Sequence, residues 1–215
     1  MKKIGILGGM GPFTSNAFLE KILKYSQKYY GAIQDEDFPL IHYYSLPLKG
    51  FDESGIVDEK LVFDQLKSAI NFLEKYVDFI VMPCNTIHYF IDEIREISKV
   101  PIISIIESVE EEIKNQGYKN FLLLASKTTY EKNLYSNCIL PNEKDLIENL
   151  ILEIMSGKVK SLNLIIDLIK SYNYIDCVIL GCTELPLVID NSKIDLPIVD
   201  SLDILAKKSV DYIYS

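Results

Sequence analysis

Two cysteines in this 215-residue chain stand in matching surroundings. Val77-Asp78-Phe79-Ile80-Val81-Met82-Pro83-Cys84-Asn85-Thr86 and Ile175-Asp176-Cys177-Val178-Ile179-Leu180-Gly181-Cys182-Thr183-Glu184 share an aspartate, an apolar run and a cysteine in the same places. Each run has the pattern of a buried parallel strand, which puts each cysteine at a strand's carboxyl end, where open α/β sheets hold their reactive crevice. A helix start is expected after each, at Asn85-Thr86 and at Thr183-Glu184-Leu185-Pro186, with Pro186 suited to a first turn. Backbone N–H groups at such a start lower a thiol's pKa and attract a carboxylate. Two thiols on opposite sides of a flat carbanion could invert a carbon centre, one taking a proton from one face while the other delivers one to the opposite face. One sulfur must begin as thiolate and the other as thiol, so the pair titrates as a coupled unit. Cys138 and Cys177 occupy no repeated strand-end position and read as ordinary buried cysteines.

The elements that must position the pair follow from periodicity. Short apolar runs at Ile4 to Leu7, Val77 to Met82, Ile102 to Ile106, Phe121 to Leu124, Val178 to Leu180 and Ile198-Val199 predict strands. Helical spacing predicts helices over Phe18 to Tyr29, Lys60 to Lys75, Ile87 to Ser98, Ser108 to Asn115, Glu143 to Met155 and Leu162 to Tyr172. Their alternation means an α/β architecture with right-handed crossovers. The internal repeat extends further: Val100-Pro101-Ile102-Ile103 begins 16 residues after Cys84, and Leu196-Pro197-Ile198-Val199 begins 14 after Cys182. Lys2 to Gly8 likewise matches Tyr118 to Ala125. The expected fold is two similar Rossmann-like α/β domains with mostly parallel sheets, related by a pseudo-twofold axis with the active site in the cleft between them. Residues 1–100 would form the first and carry Cys84, and residues 101–202 the second and carry Cys182. A C-terminal helix near 203–215 would pack back on the first.

Composition narrows the function. A formal charge of −9 with no basic cluster argues against nucleic acid and anionic membranes. The N-terminal apolar run is broken by Gly8 and Gly9, too early for a signal peptide or membrane span, so a cytoplasmic location is the expectation. The four cysteines lack C-x-x-C spacing and read as free thiols. Gly8-Gly9-Met10-Gly11-Pro12 lacks dinucleotide-binding spacing, and Pro12 removes an N–H donor. Cys84 and His88 are four apart, but His42 is the only other histidine, too few ligands for zinc, and His88 reads as a partly buried helix residue.

With those motifs in view, Gly8-Gly9-Met10-Gly11-Pro12, Met82-Pro83-Cys84-Asn85-Thr86, Leu123-Leu124-Ala125-Ser126 and Gly181-Cys182-Thr183-Glu184-Leu185-Pro186 resemble the aspartate/glutamate racemase family across essentially the whole chain. The resemblance implies a pyridoxal-independent racemase of aspartate or glutamate that uses no cofactor, and a homodimer whose only other partner is its amino-acid substrate. It implies Cys84 and Cys182 as the acid/base pair. Asn85, Thr86 and Thr183 would lie near the substrate's α-carboxylate and amino group, with Met10, Ser15, Ser126, Thr128 and Glu184 completing the binding set. The chain departs from the family at Phe13-Thr14-Ser15 and at Ala125-Ser126-Lys127-Thr128-Thr129, which lacks a usual glycine. It has one arginine, Arg95, eleven residues past Cys84 and about 16 Å along a regular helix, which reads as a surface residue. In Leu46-Pro47-Leu48-Lys49-Gly50-Phe51-Asp52-Glu53 the available cation is Lys49; Lys158 is the second candidate to receive a distal carboxylate. Two rivals remain: a maleate-isomerase-like or decarboxylase-like enzyme on the same fold, and a non-catalytic module that binds small acids.

Overall fold

The computed structural model describes residues 1–52 and 55–215; Glu53, the last residue of the segment quoted above, and Ser54 lie outside the described residues. Two parallel sheets organise the chain. The first has the order β2-β1-β5-β6, from β1 (Ile4–Gly8), β2 (Ile41–Ser45), β5 (Phe79–Val81) and β6 (Ile102–Ile103). The second has the order β7-β8-β9, from β7 (Phe121–Leu124), β8 (Cys177–Leu180) and β9 (Ile198–Asp200). A small antiparallel pair, β3 (Phe51–Asp52) and β4 (Gly55–Ile56), stands apart from both. The helices are α1 (Pro12–Tyr30), α2 (Glu59–Leu73), α3 (Ile91–Ile97), α4 (Ile105–Gln116), α5 (Lys127–Glu131), α6 (Lys144–Met155), α7 (Leu162–Ser171) and α8 (Ser201–Tyr214).

The sequence repeat reappears as repeated hydrogen bonding. Asp78 accepts from the Lys3 N–H at the entry to β1, and Asp176 accepts from the Lys119 and Asn120 N–H groups at the entry to β7. The Ile80 N–H donates to the Pro101 carbonyl, as that of Val178 does to Pro197. Strand registers agree as well: Ile80 faces Ile102 and Val178 faces Ile198. In both sheets the chain leaves the first strand to one side and returns on the other. In the second sheet, Ile139 bridges to β7 where the first sheet has β2. That reversal opens a crevice at the carboxyl ends of the central strands. Each sheet's last strand then feeds a capped helix: the Ser104 side chain caps α4, and the Asp200 side chain caps α8.

Between the sheets lies one shared apolar layer. Phe18 and Ile22 of α1, Val109 and Ile113 of α4, and Leu202, Leu205 and Val210 of α8 pack with Ile4, Phe79, Phe121, Ile179 and Val199. The helix expected near 203–215 begins at Ser201 and packs along α1, where Lys21 pairs with Asp203 at 2.6 Å. The outer faces have separate cores, one under α2 and one under α6 and α7.

Some element limits differ from expectation for local reasons. The apolar run Ile102 to Ile106 is strand only to Ile103, because Ser104 caps a helix that starts at Ile105. The first helix starts six residues before Phe18, with Pro12 in its first turn, where a missing N–H costs nothing. Thr86–Phe90 forms a 3₁₀ turn before α3 instead of a continuous helix from Ile87. β2 was not predicted: it is an edge strand of half-exposed aromatic and polar residues without a buried run. No helix among the described residues is long and apolar enough to cross a membrane.

Candidate active site

The loops leaving β1, β5, β7 and β8 converge on one cleft of about 180 Å³. Cys84 and Cys182 both line it, only 6% and 8% exposed. The glycine loop forms another wall with Gly9, Met10, Gly11 and Pro12. Its path depends on Gly9, whose φ of 96° and contact with Leu46 leave no room for a Cβ, which would come within 2.4 Å of the Leu46 carbonyl oxygen. Ser15 secures the loop from below: its hydroxyl donates to the Gly11 carbonyl and accepts from the Gly9 N–H.

Hydroxyls and one amide surround the thiols. Thr86 and Ser126 Oγ atoms are 2.9 Å apart, and Ser126 lies 3.0 Å from the Thr129 hydroxyl, a chain that links the two sheets' loops. Asn85 is fixed at both ends of its amide: it accepts from the Tyr135 hydroxyl at 2.5 Å and donates to Ser201 at 3.1 Å. Ser201 in turn donates to the Leu180 carbonyl at the end of β8. An amide held this way keeps one N–H free for a ligand.

The electrostatics reverse one expectation. Both thiols are pushed up, Cys84 to about 12 and Cys182 well above the ordinary thiol value, first by burial and then by the Glu184 carboxylate. The Thr86 and Ile87 N–H groups pull Cys84 down, as a helix start should, but burial outweighs them. The turns after both cysteines are 3₁₀ and not α-helical, so no long dipole stands behind either sulfur. Cys182 donates its S–H to Glu184 Oε2 at 3.0 Å, and Thr183 donates to the same oxygen at 3.4 Å. Burial raises Glu184 above the usual carboxylate range despite the thiol, the Thr183 hydroxyl and backbone N–H groups, including that of Gly11, which lower it. The two sulfurs are therefore unequal. Cys182 has a carboxylate partner, and Cys84, among the described residues, has backbone donors at Thr86 and Ile87.

Of the residues singled out from sequence, Met10, Cys84, Asn85, Thr86, Ser126, Thr128, Cys182, Thr183 and Glu184 line the cleft. Three do not. Ser15 is wholly buried beneath the glycine loop, Lys49 is exposed between the lining residues Leu48 and Phe51, and Lys158 is exposed beyond the end of α6. Arg95 makes a double contact with Glu107, 2.6 Å to each oxygen, and a 3.2 Å bond to the Ile102 carbonyl, so it clamps α3 to the start of α4. Cys138 and Cys177 stay away from the cleft. Sequence reasoning missed Leu48, Phe51, Asp52, Gly55, Glu148, Ile151 and Met155. The last two with Glu148 have i, i+3, i+7 spacing on α6, which marks one helix face but not what it faces.

His88 serves the framework. Its Nδ1 lies 2.8 Å from the Cys84 carbonyl and must donate to it, while Nε2 accepts from the Ile105 N–H at 3.2 Å. That pairing fixes one neutral tautomer and holds the Cys84 backbone against α4. Burial lowers its pKa from 6.5 to about 4. The folded value is depressed, so the stabilisation is present above pH 6.5 and lost as pH falls through about 4, roughly 3 kcal/mol in full. Denaturant unfolding at a series of pH values should show this loss in the wild type and a shallower one in His88→Gln; parallel curves would refute it.

Comparison with known proteins bears on this arrangement. The Asp/Glu/hydantoin racemase family model matches residues 7–208. The broad specificity amino-acid racemase RacX of Bacillus subtilis (strain 168) is 30% identical over 225 aligned positions, covering 96% of each protein. An aspartate racemase homologue from Pyrococcus horikoshii OT3 superposes with a TM-score of 0.82 at 31% identity, covering all of both chains. The aspartate racemase of Picrophilus torridus does so with a TM-score of 0.83 at 28% identity, covering 97% of this chain and 94% of the other. With its paired α/β sheets and a family match that runs through both cysteine loops, this chain belongs to the Asp/Glu/hydantoin racemase family, whose members are isomerases acting on amino acids.

Proposed function

We propose that this protein is a cofactor-independent amino-acid racemase in which Cys84 and Cys182 carry the α-proton across the substrate. The observation that carries the reading is that two thiols from equivalent positions of a structural repeat line a single cleft. We divide the chain near residue 100, so that each half supplies one thiol. In one direction a thiolate at one sulfur removes the α-proton, the electron pair delocalises into the substrate carboxylate, and the opposite thiol gives its proton to the other face. Asn85, Thr86, Thr183 and Ser126 are the donors available to the carboxylate as charge builds on it. Each turnover leaves the sulfurs in exchanged protonation states. Glu184, hydrogen-bonded to Cys182, is placed to accept that thiol's proton and return it.

The substrate is an α-amino acid. Aspartate and glutamate are the expectation from the family resemblance, yet among the described residues no lysine or arginine lines the cleft to receive a second carboxylate. RacX, described as a broad specificity racemase, is a relative consistent with wider choice. The test is incubation of the reduced protein, free of pyridoxal phosphate, with both enantiomers of a panel of acidic, neutral and basic amino acids in D₂O. α-Hydrogen loss is followed by NMR and configuration by chiral chromatography. Exchange coupled to inversion is expected. A complete lack of exchange would reject the racemase reading and turn attention to maleate, substituted malonates and simple acid binding.

A further inference from the structure

Asn85 follows Cys84 directly and is only 3% exposed, so what its amide offers a ligand depends on how the amide is turned. Ser201 settles the turn. Its single hydroxyl hydrogen goes to the Leu180 carbonyl at 2.7 Å, so toward Asn85 it can only accept, and the amide's Nδ2 must face it at 3.1 Å. Oδ1 therefore faces Tyr135, whose hydroxyl donates to it at 2.5 Å. Tyr135 stands in the loop after α5, in the second half of the chain, and is 4% exposed. Burial first, and then Glu110, Cys138 and Cys182, raise the phenol well above its ordinary value, so it stays a donor across the working pH range.

The ring of the same tyrosine reaches the other thiol loop. Gly181 precedes Cys182, and a Cβ there would come within 3.3 Å of the Tyr135 ring and 2.6 Å of the Leu123 side chain. Glycine at 181 thus lets the ring lie against the backbone at the end of β8. One side chain thereby touches the residue after Cys84 and the residue before Cys182. Without the hydroxyl, Asn85 Oδ1 would be a buried acceptor with no partner among the described residues, and the amide could pivot about its bond to Ser201. We propose that Tyr135 is a positioning residue: it holds the Asn85 amide with its second N–H available to the substrate carboxylate and keeps the two thiol loops in register. Its effect on turnover rests on the racemase reading; its hold on the amide does not.

Tyr135→Phe removes the hydroxyl and keeps the ring on Gly181. It is compared with Asn85→Ala and with the double variant, using both enantiomers of alanine, aspartate, glutamate and lysine. On the amino acid that the wild type turns over fastest, Tyr135→Phe is expected to lower kcat about tenfold with KM changed by less than about twofold, because the amide matters most as charge builds on the carboxylate. Asn85→Ala should lower kcat about 10²-fold. The double variant should match Asn85→Ala within about twofold, since a residue that acts through Asn85 then has nothing left to position. A merely structural tyrosine would lower the denaturant midpoint and give losses of kcat that multiply. Such multiplication, or a wild-type kcat in Tyr135→Phe, overturns the inference and leaves the racemase reading intact. Independently of turnover, the Asn85 side-chain amide protons, identified in ¹⁵N spectra by their loss in Asn85→Ala, should exchange with solvent about tenfold faster in Tyr135→Phe. An unchanged exchange rate overturns the inference whatever the kinetics. If no amino acid turns over, faster exchange supports the hold on the amide and only the racemase reading falls.

Discussion

Serine in place of either Cys84 or Cys182 is expected to lower kcat for racemisation by about 10²- to 10⁴-fold, with substrate binding little affected. Serine keeps the shape of the side chain in a site where both cysteines are nearly sealed from solvent. Its hydroxyl is a far weaker acid than a thiol, so it can supply neither the base nor the acid at useful rates. Because inversion needs both faces, each single variant should be about as inactive as the double variant, the non-additivity expected of groups that act as a unit. A sharper consequence concerns exchange without inversion. Each variant keeps one thiol, and that thiol faces the α-hydrogen of only one enantiomer. Cys84→Ser and Cys182→Ser should therefore wash deuterium into opposite enantiomers with configuration retained. The measurement is α-hydrogen loss in D₂O, followed separately for L and D substrate. Two variants that label the same enantiomer, or that still racemise at the wild-type rate, would rule out the two-thiol mechanism.

Particular residues explain why so much of this site could be read from sequence and why the remainder could not. The cysteine repeat was visible because Asp78 and Asp176 hold equivalent strand entries and stand at the same spacing before Cys84 and Cys182, and the carbonyls of Pro101 and Pro197 accept equivalent bonds. The buried strands β1, β5, β7 and β8 declare themselves as apolar runs, whereas β2 at a sheet edge does not. The run Ile102 to Ile106 reads as one strand because four of its five residues are isoleucine, but Ser104 in its middle caps the helix that starts at Ile105. The acidity of the thiols was misjudged because a helix start is a local feature and burial is not: the layers above Cys84 and Cys182 come from residues distant in sequence. The same reason hid Glu148. Helical spacing identifies the face of α6 that it shares with Ile151 and Met155, but only the tertiary fold says that this face looks into the cleft.

Replacing Glu184 with glutamine is expected to reduce kcat by about 10²-fold while making the fold more stable above the raised Glu184 pKa. The catalytic half of this follows from the 3.0 Å bond between Cys182 and Glu184, which gives that thiol's proton somewhere to go. Glutamine keeps the size of the side chain and can still accept a hydrogen bond, but it cannot take a proton. Since racemisation has an equilibrium constant of unity, kcat/KM must fall equally in both directions, and only kcat and KM taken separately can differ between enantiomers. Activity of the wild type should rise as pH passes through the raised Glu184 pKa, because the carboxylate form is the one that accepts, and Glu184→Gln should lose that limb of the profile. The stability half has the opposite sign. A folded pKa raised above the unfolded value of about 4.5 means that the native state binds the proton more tightly, so this group's contribution is full below that value and is lost as pH rises through the folded pKa. Above that raised folded pKa the wild type carries a buried charge that glutamine removes. Denaturant midpoints and pH-rate profiles measured on the same two proteins separate these effects. A variant that is slower and also less stable would mean that Glu184 is a packing residue, and a variant with an unchanged pH profile would mean that Cys182 exchanges its proton by another route.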